Sequence, residues 1–181
     1  MHLKNTQGAK NVLKQLILFA CLATTLVTKA FCDQDGSGPE VGKIVPPLDG
    51  RTLSGDLYLL RKDVGRPKVI NFFWVECHPC SEEMPEMARL EKRFSGVKFI
   101  SVHTSLNAAS VEEVKVAEFI KKLKAAPSNI VLSTNRELGS IFNIQALPHT
   151  MVLDGNNKVL INITGYNADT IKALESTLDG L

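Results

Sequence analysis

The chain has 181 residues, 44% of them apolar and 22% charged, with four cysteines and a formal net charge of +2. That length supports one sizeable core and does not require two full domains. Four of the 21 basic residues (Lys4, Lys10, Lys14 and Lys29) fall in the first 30 positions with no acid, so the other 17 face 19 acidic residues. The body of the chain has no basic run, which excludes an electrostatic footprint for nucleic acid.

The N-terminal region reads as an export signal. Lysines precede an uncharged, mostly apolar run from Leu16 to Val27, within the roughly 7–15 residues of a secretory core and short of the about 20 that span a bilayer. Thr28-Lys29-Ala30 offers a small-residue cleavage site, making residues 1–30 a signal peptide and Phe31 the mature N-terminus. Two alternatives stay open, lipidation at Cys21 in Leu18-Phe19-Ala20-Cys21 and an uncleaved anchor. The expected location is periplasmic or otherwise extracytoplasmic, with a membrane-anchored form as the variant. Cys21 belongs to the leader, so Cys32 is an odd thiol in a terminal tail and Cys77 and Cys80 are a pair.

Residues 31–43, Gly- and acid-rich from Asp33, read as a flexible linker, and residues 44–181 as the folded domain. Between Ile44 and Arg66 the pattern suggests a strand or hairpin. Lys68–Trp74 (KVINFFW) is a β-favouring run whose only interior polar residue is Asn71, as expected for a central strand covered on both faces. Met84, Met87, Ala88, Leu90 and Phe94 then recur at helical spacing, predicting a helix from Cys80 to about Phe94 with a kink at Pro85. Val97–Val102 is a second strand. Val111–Ala125 is an amphipathic helix expected to turn Val114, Val116, Phe119, Ile120 and Leu123 inward. Ile130–Leu132 is a short strand and Glu137–Phe142 a short helix. Thr150–Leu153 and Lys158–Ile163 form a hairpin across residues 154–157, and Asn167–Leu178 is a closing helix. The alternation predicts an α/β fold with mixed strand directions.

Cys77-His78-Pro79-Cys80 lies at a strand-to-helix junction. There the first sulfur meets unpaired backbone N–H groups and the positive end of the helix dipole, both of which favour thiolate. Cys77 is the expected nucleophile, and Cys80, one turn on, the residue that resolves a mixed disulfide. Pro79 suits the first helical turn, and an imidazolium at His78 would add to thiolate stabilisation. Zinc needs four ligands that the sequence does not supply. Copper(I) suits two thiolates, with His149 as candidate third ligand. A copper-binding or chaperone module using Cys77, Cys80 and His149 is therefore the alternative to a redox enzyme.

Together, Val69-Ile70-Asn71-Phe72, the Cys77–Cys80 motif, Ser81-Glu82-Glu83-Met84-Pro85 and Leu147-Pro148-His149-Thr150-Met151-Val152-Leu153-Asp154 resemble the thioredoxin superfamily, in particular its exported TlpA/ResA-like branch. The resemblance covers about Ile44 to Leu178. It implies a thioredoxin-like three-layer fold, a central mixed β-sheet flanked by helices. It also implies a dithiol/disulfide oxidoreductase, more a reductant than a general oxidant. The machinery so implied is a redox-active Cys77–Cys80 disulfide with no other cofactor, a cis Pro148 packed against it, and Glu83 as a carboxylate acting on thiol protonation. The implied partners are disulfide-containing protein substrates and a membrane thiol donor, the protein itself being a monomer. There are departures from the family pattern. Asn71 stands where cytoplasmic thioredoxins carry a buried Asp. Glu76 and Phe73 replace the usual tryptophans, leaving Trp74 alone. His149 replaces a small or hydroxyl residue and reads as an exposed loop histidine, and His103 as a loop residue after its strand.

Overall fold

The structure is a computed structural model and describes residues 36–104, 113–133 and 137–181. Residues 1–30 with their signal-peptide and lipidation readings, Cys32 and the expected start of a helix at Val111 lie outside the described residues. Among the described residues no helix is long and apolar enough to cross a membrane.

The elements run β1 (Asp49–Thr52), β2 (Leu57–Leu59), a 3-10 turn (Leu60–Lys62), β3 (Lys68–Phe73), α1 (His78–Arg93), β4 (Lys98–His103), α2 (Glu113–Lys122), β5 (Ile130–Leu132), α3 (Glu137–Ile141), β6 (His149–Leu153), β7 (Val159–Thr164) and α4 (Ala168–Asp179). The strands form one mixed sheet in the order β2-β1-β5-β4-β3-β6-β7. β3 is central, parallel to β4 and antiparallel to β6. All six of its residues are buried, which is why its sequence is nearly uninterrupted in apolar character.

The two faces of the sheet are distinct because side chains alternate along each strand. On one face Ile70, Phe72, Ile100, Val102 and Met151 pack with Leu138 and Phe142 of the α3 region and with Val45 and Leu48. On the other, Phe73 packs with Cys80 and Met84 of α1 and Val116 of α2. α4 joins α1 through Arg89 and Arg93, which pair with Glu175 and Asp179. Helices thus cover both faces, giving the expected three layers. Asn167 caps α4, accepting from the backbone N–H groups of Asp169 and Thr170 while the Thr170 hydroxyl bonds back, a reciprocal capping box.

Helix α1 begins two residues before the expected start at Cys80 and runs through Pro85 to Arg93. Two expectations are corrected here. Val114 is 64% exposed, because the inward stripe of α2 is set by Val116, Phe119, Ile120 and Leu123, and a residue two before Val116 lies about 200° round the helix from it. The segment read as a linker through Lys43 is instead docked on the sheet from Gly36. Gly38 N–H donates to the Asn143 carbonyl, Asn143 Nδ2 to the Gly36 carbonyl, and Asn162 Nδ2 to the Pro39 carbonyl. Ser37 is 2% exposed, and its hydroxyl accepts from the Gln145 N–H at 3.0 Å.

Gly38 has φ +85°, and a Cβ there would lie 2.5 Å from His149 Nε2. Gly38→Ala is therefore expected to undock this segment and destabilise the protein by roughly 1–3 kcal/mol. Gly36, also at positive φ, has nothing within 4 Å of such a Cβ, so Gly36→Ala should cost only about 1 kcal/mol. Urea unfolding of both variants checks this, and equal losses would remove the His149 contact as the cause.

Candidate active site

β3 ends at Phe73, and a short turn carries the chain into α1, with the Cys77 N–H donating to the Trp74 carbonyl. Cys77 is the N-cap of α1, in extended conformation (φ −91°, ψ 105°). Its Sγ accepts from the Cys80 backbone N–H at 3.3 Å. The sulfur thus occupies the place where a capping oxygen usually satisfies an otherwise unpaired amide, and a thiolate there is favoured by both hydrogen bond and dipole. Cys77 and Cys80 are joined as a disulfide. Cys77 is half-buried and Cys80 fully buried, so one sulfur is open to attack and the other is not.

Beside Cys77 is an open groove of about 830 Å³. Val75, Pro85, Phe119 and Leu123 give it apolar walls, Glu76 and Glu82 stand on the α1 side, and Lys122 and Lys124 on the α2 side. His78 also lines it, 84% exposed at the side chain and 3.6 Å from Glu82 Oε1.

Glu83 is only 2% exposed. It points inward because positions three and four apart share a helix face, and Cys80, Glu83, Met84 and Met87 form the buried face of α1. Its carboxyl meets two neutral donors from the sheet. Asn71 Nδ2 donates to Oε2 at 2.6 Å and the Thr150 hydroxyl to Oε1 at 3.2 Å. Asn71 Nδ2 also donates to Thr150 Oγ1 at 2.9 Å. Asn71 and Thr150 are direct cross-strand partners, so the sheet register places both donors against one turn of α1.

Pro148 follows Leu147 through a cis peptide bond, and Leu147 packs against the cluster holding Phe73, Cys77 and Cys80. The next residue departs from expectation. His149 is the first residue of β6 and has no exposure. It pairs with Phe72 whereas Thr150 pairs with Asn71, so alternation turns its ring to the sheet face opposite Glu83. There its Nδ1 lies 3.1 Å from Thr164 Oγ1 and 3.4 Å from Ser37 Oγ, and its Nε2 3.4 Å from Asn162 Oδ1. It is neither an exposed loop residue nor a neighbour of the sulfurs, and the three-ligand copper arrangement is not assembled. Among the described residues no group of three or more His, Cys, Asp or Glu side chains is placed to hold a metal ion.

His103, expected in a loop, is the last residue of β4 and 2% exposed. It sits edge-on to Phe73 with ring centroids 5.5 Å apart, and Phe73 in turn stacks on Phe119 of the groove. Its Nε2 has no hydrogen-bond partner among the described residues. Asn71, Thr150 and His103 are the residues that sequence reasoning left without a role. The signal for the first was a lone polar residue inside the otherwise apolar run Val69–Phe73.

Burial moves two of these groups in opposite senses. Desolvation outweighs the bonds from Asn71 and Thr150 and pushes Glu83 up from 4.5 to about 7. The folded protein then keeps a proton that the unfolded chain releases, so Glu83's contribution to stability falls as pH rises from about 4.5 through about 7. Desolvation pushes His103 down from 6.5 to about 4. The unfolded chain binds a proton there that the folded protein refuses, so stability falls as pH drops from about 6.5 through about 4. Each effect amounts to about 3 kcal/mol over its window, and between pH 4.5 and 6.5 they oppose. Glu83→Gln should therefore leave His103 uncompensated, giving stability that climbs with pH from 4 to 6.5 in denaturant titrations, where the parent protein is nearly flat. An identical pH dependence in both would refute the opposition.

The Redoxin family model matches residues 40–179. Among curated proteins, the chain is 29% identical over 152 residues to thiol-disulfide oxidoreductase ResA of Geobacillus kaustophilus, covering 83% of each chain. It is 28% identical over 142 residues to thioredoxin-like protein YneN of Bacillus subtilis, covering 78% of this chain and 81% of that one. Among solved structures, the thioredoxin domain of thiol-disulfide oxidoreductase BVU-2223 from Bacteroides vulgatus aligns with a TM-score of 0.65 at 20% identity, over 77% of this chain and 99% of that chain. The structural likeness agrees with the mixed sheet and its helical layers, and the match over most of the sequence places the chain in the Redoxin family.

Proposed function

We propose that this protein is a thiol-disulfide oxidoreductase of the cell envelope that reduces disulfides in protein substrates. The observation that carries the reading is the asymmetry of the pair: Cys77 half-open at the N-terminus of α1 beside a groove, disulfide-linked to a fully buried Cys80. The relatives named as thiol-disulfide oxidoreductases support it. The uncharged run Leu16–Val27 behind lysines supports export.

In the reduced protein, the Cys77 thiolate attacks one sulfur of a substrate disulfide, forming a mixed disulfide and releasing the other sulfur as a thiolate. Glu83 as carboxylate takes the proton of the Cys80 thiol. The Cys80 thiolate then attacks the Cys77 sulfur of the mixed disulfide, releasing the second substrate thiolate and closing the Cys77–Cys80 bond. Two electrons pass to the substrate, and a thiol donor at the membrane restores the dithiol. Leu147 packs against the cluster that holds Cys77 and Cys80, and in this reading it and the cis Pro148 that follows it limit the direction from which a substrate strand approaches. His78 sits on the exposed side of the motif and adds positive charge near Cys77 when protonated.

Cys77→Ser is expected to lower reduction of a model protein disulfide by at least roughly 100-fold. Cys80→Ser should instead trap a substrate-linked species visible on a non-reducing gel. Full activity in Cys77→Ser ends the enzymatic reading. The midpoint potential gives the direction, a value below about −230 mV marking a reductant and one near −120 mV an oxidant.

A further inference from the structure

Glu83 sits in a closed ring of hydrogen bonds in which both of its carboxyl oxygens accept. Asn71 sends one amide hydrogen to Glu83 Oε2 and the other to Thr150 Oγ1, and Thr150 passes its own hydrogen to Glu83 Oε1. All three residues are at most 2% exposed. The arrangement leaves Asn71 Oδ1 buried with no donor among the described residues, which is costly enough that buried acceptors rarely go unpaired. The opposite amide orientation would set Oδ1 against Oε2 at 2.6 Å, tolerable only when that oxygen carries a proton. The ring as it stands is therefore built for the carboxylate. When Glu83 takes a proton, Thr150 Oγ1 must turn from donor to acceptor, or the Asn71 amide must turn over.

Resting on the oxidoreductase reading above, we propose that Asn71 and Thr150 are positioning residues that decide when Glu83 holds and when it releases the proton exchanged with Cys80. Neither touches the sulfurs in this role; they act through the carboxyl. Cys80 is one turn before Glu83 on the same buried face of α1. Of the other titratable groups around Glu83, Tyr166 beyond β7 feels the charges of Glu86, Glu82 and Glu83, and His103 on β4 is held neutral by burial. Glu82 and Glu86 stand on the outer part of α1. At this point the strands β3 and β6 offer Glu83 only the two neutral side chains. With no cation in the ring, the number of donated hydrogen bonds is what offsets burial of the charge.

The test uses the full mature chain in the reduced state. The ¹³C shift of the Glu83 carboxyl and the rate of exchange with a model protein disulfide are followed against pH. In Thr150→Val, which keeps the shape and removes the hydroxyl, both titrations should move up by about one pH unit. Thr150→Ser should bring them back to those of the parent protein. Asn71→Leu, which removes the other donor, should move them in the same direction and guards against a misfolded valine variant. In the parent protein the Asn71 side-chain amide resonances should titrate together with the Glu83 carboxyl.

A Glu83 carbon that titrates unchanged in both Thr150→Val and Asn71→Leu overturns the proposal. So does a shifted carbon with an unshifted exchange profile, since the proton held by Glu83 is then not the one exchanged. If Glu83→Gln leaves the exchange profile of the parent protein intact, the role of Glu83 in the reaction falls instead. The Cys77 and Cys80 chemistry would survive that result.

Discussion

The antiparallel register between β3 and β6 is the constraint on which the reactive end of the molecule depends. It sets Asn71 opposite Thr150 and Phe72 opposite His149, assigning the Asn71–Thr150 polar pair to one face of the sheet and the His149 imidazole to the other. The face with Asn71 and Thr150 receives the buried carboxyl of Glu83 from α1, and the other receives the His149 ring with Ser37, Thr164 and Asn162. A slip of one residue would exchange the two sets. It would bring an imidazole to the carboxyl and leave the N-terminal segment without its anchor. Apolar packing of Ile70, Phe72 and Met151 on one side and Phe73 on the other makes that slip costly.

A carboxyl buried among Met84, Met87 and the sheet reduces stability, and a well-packed apolar replacement of similar volume would relieve the penalty. In the reaction proposed above its use lies one turn away: a buried thiol that is to become a nucleophile needs a proton acceptor that water cannot supply, and Cys80 has no exposure. Two neutral donors suit this use better than a cation would. A lysine or arginine beside Glu83 would fix it as carboxylate over the whole physiological range, whereas an amide and a hydroxyl leave both protonation states accessible.

The layered fold and the sulfur pair were legible because their signals are local. The apolar run of β3, the 3.6-residue stripe of α1 and the hairpin across residues 154–157 need only neighbouring residues to be read. What escaped was set by contacts distant in sequence. Ser37, Gly38 and Pro39 have the composition of a linker, and Asn143, Gln145, His149 and Asn162, more than a hundred positions away, turn them into part of the fold. Gly38 carried a signal of that kind, since a glycine can mark close backbone approach, but without its partner the mark is mute. His149 was misread for the same reason, because a polar residue following a proline resembles a loop until strand pairing assigns it a face. Asn71 was visible as an anomaly in β3, but its partners on α1 and β6 lie 12 and 79 residues away.

The docked N-terminal segment also bears on how the protein meets other copies of itself. Gly42 N–H donates to the Val159 carbonyl, Val159 N–H donates to the Lys43 carbonyl, and Val45 N–H donates to the Asn157 carbonyl. The chain thus occupies, with its own backbone, the start of the outer edge of β7, where another strand could otherwise add. At the far edge of the sheet β2 is only three residues long, too short to template an extended pairing. A sheet of seven strands whose central strand is buried throughout is an aggregation hazard wherever its rim is open. Here one rim is plugged by a segment whose composition suggests a mere spacer, so trimming the chain back to the apparent domain start at Ile44 would unseal the sheet while leaving every catalytic group in place.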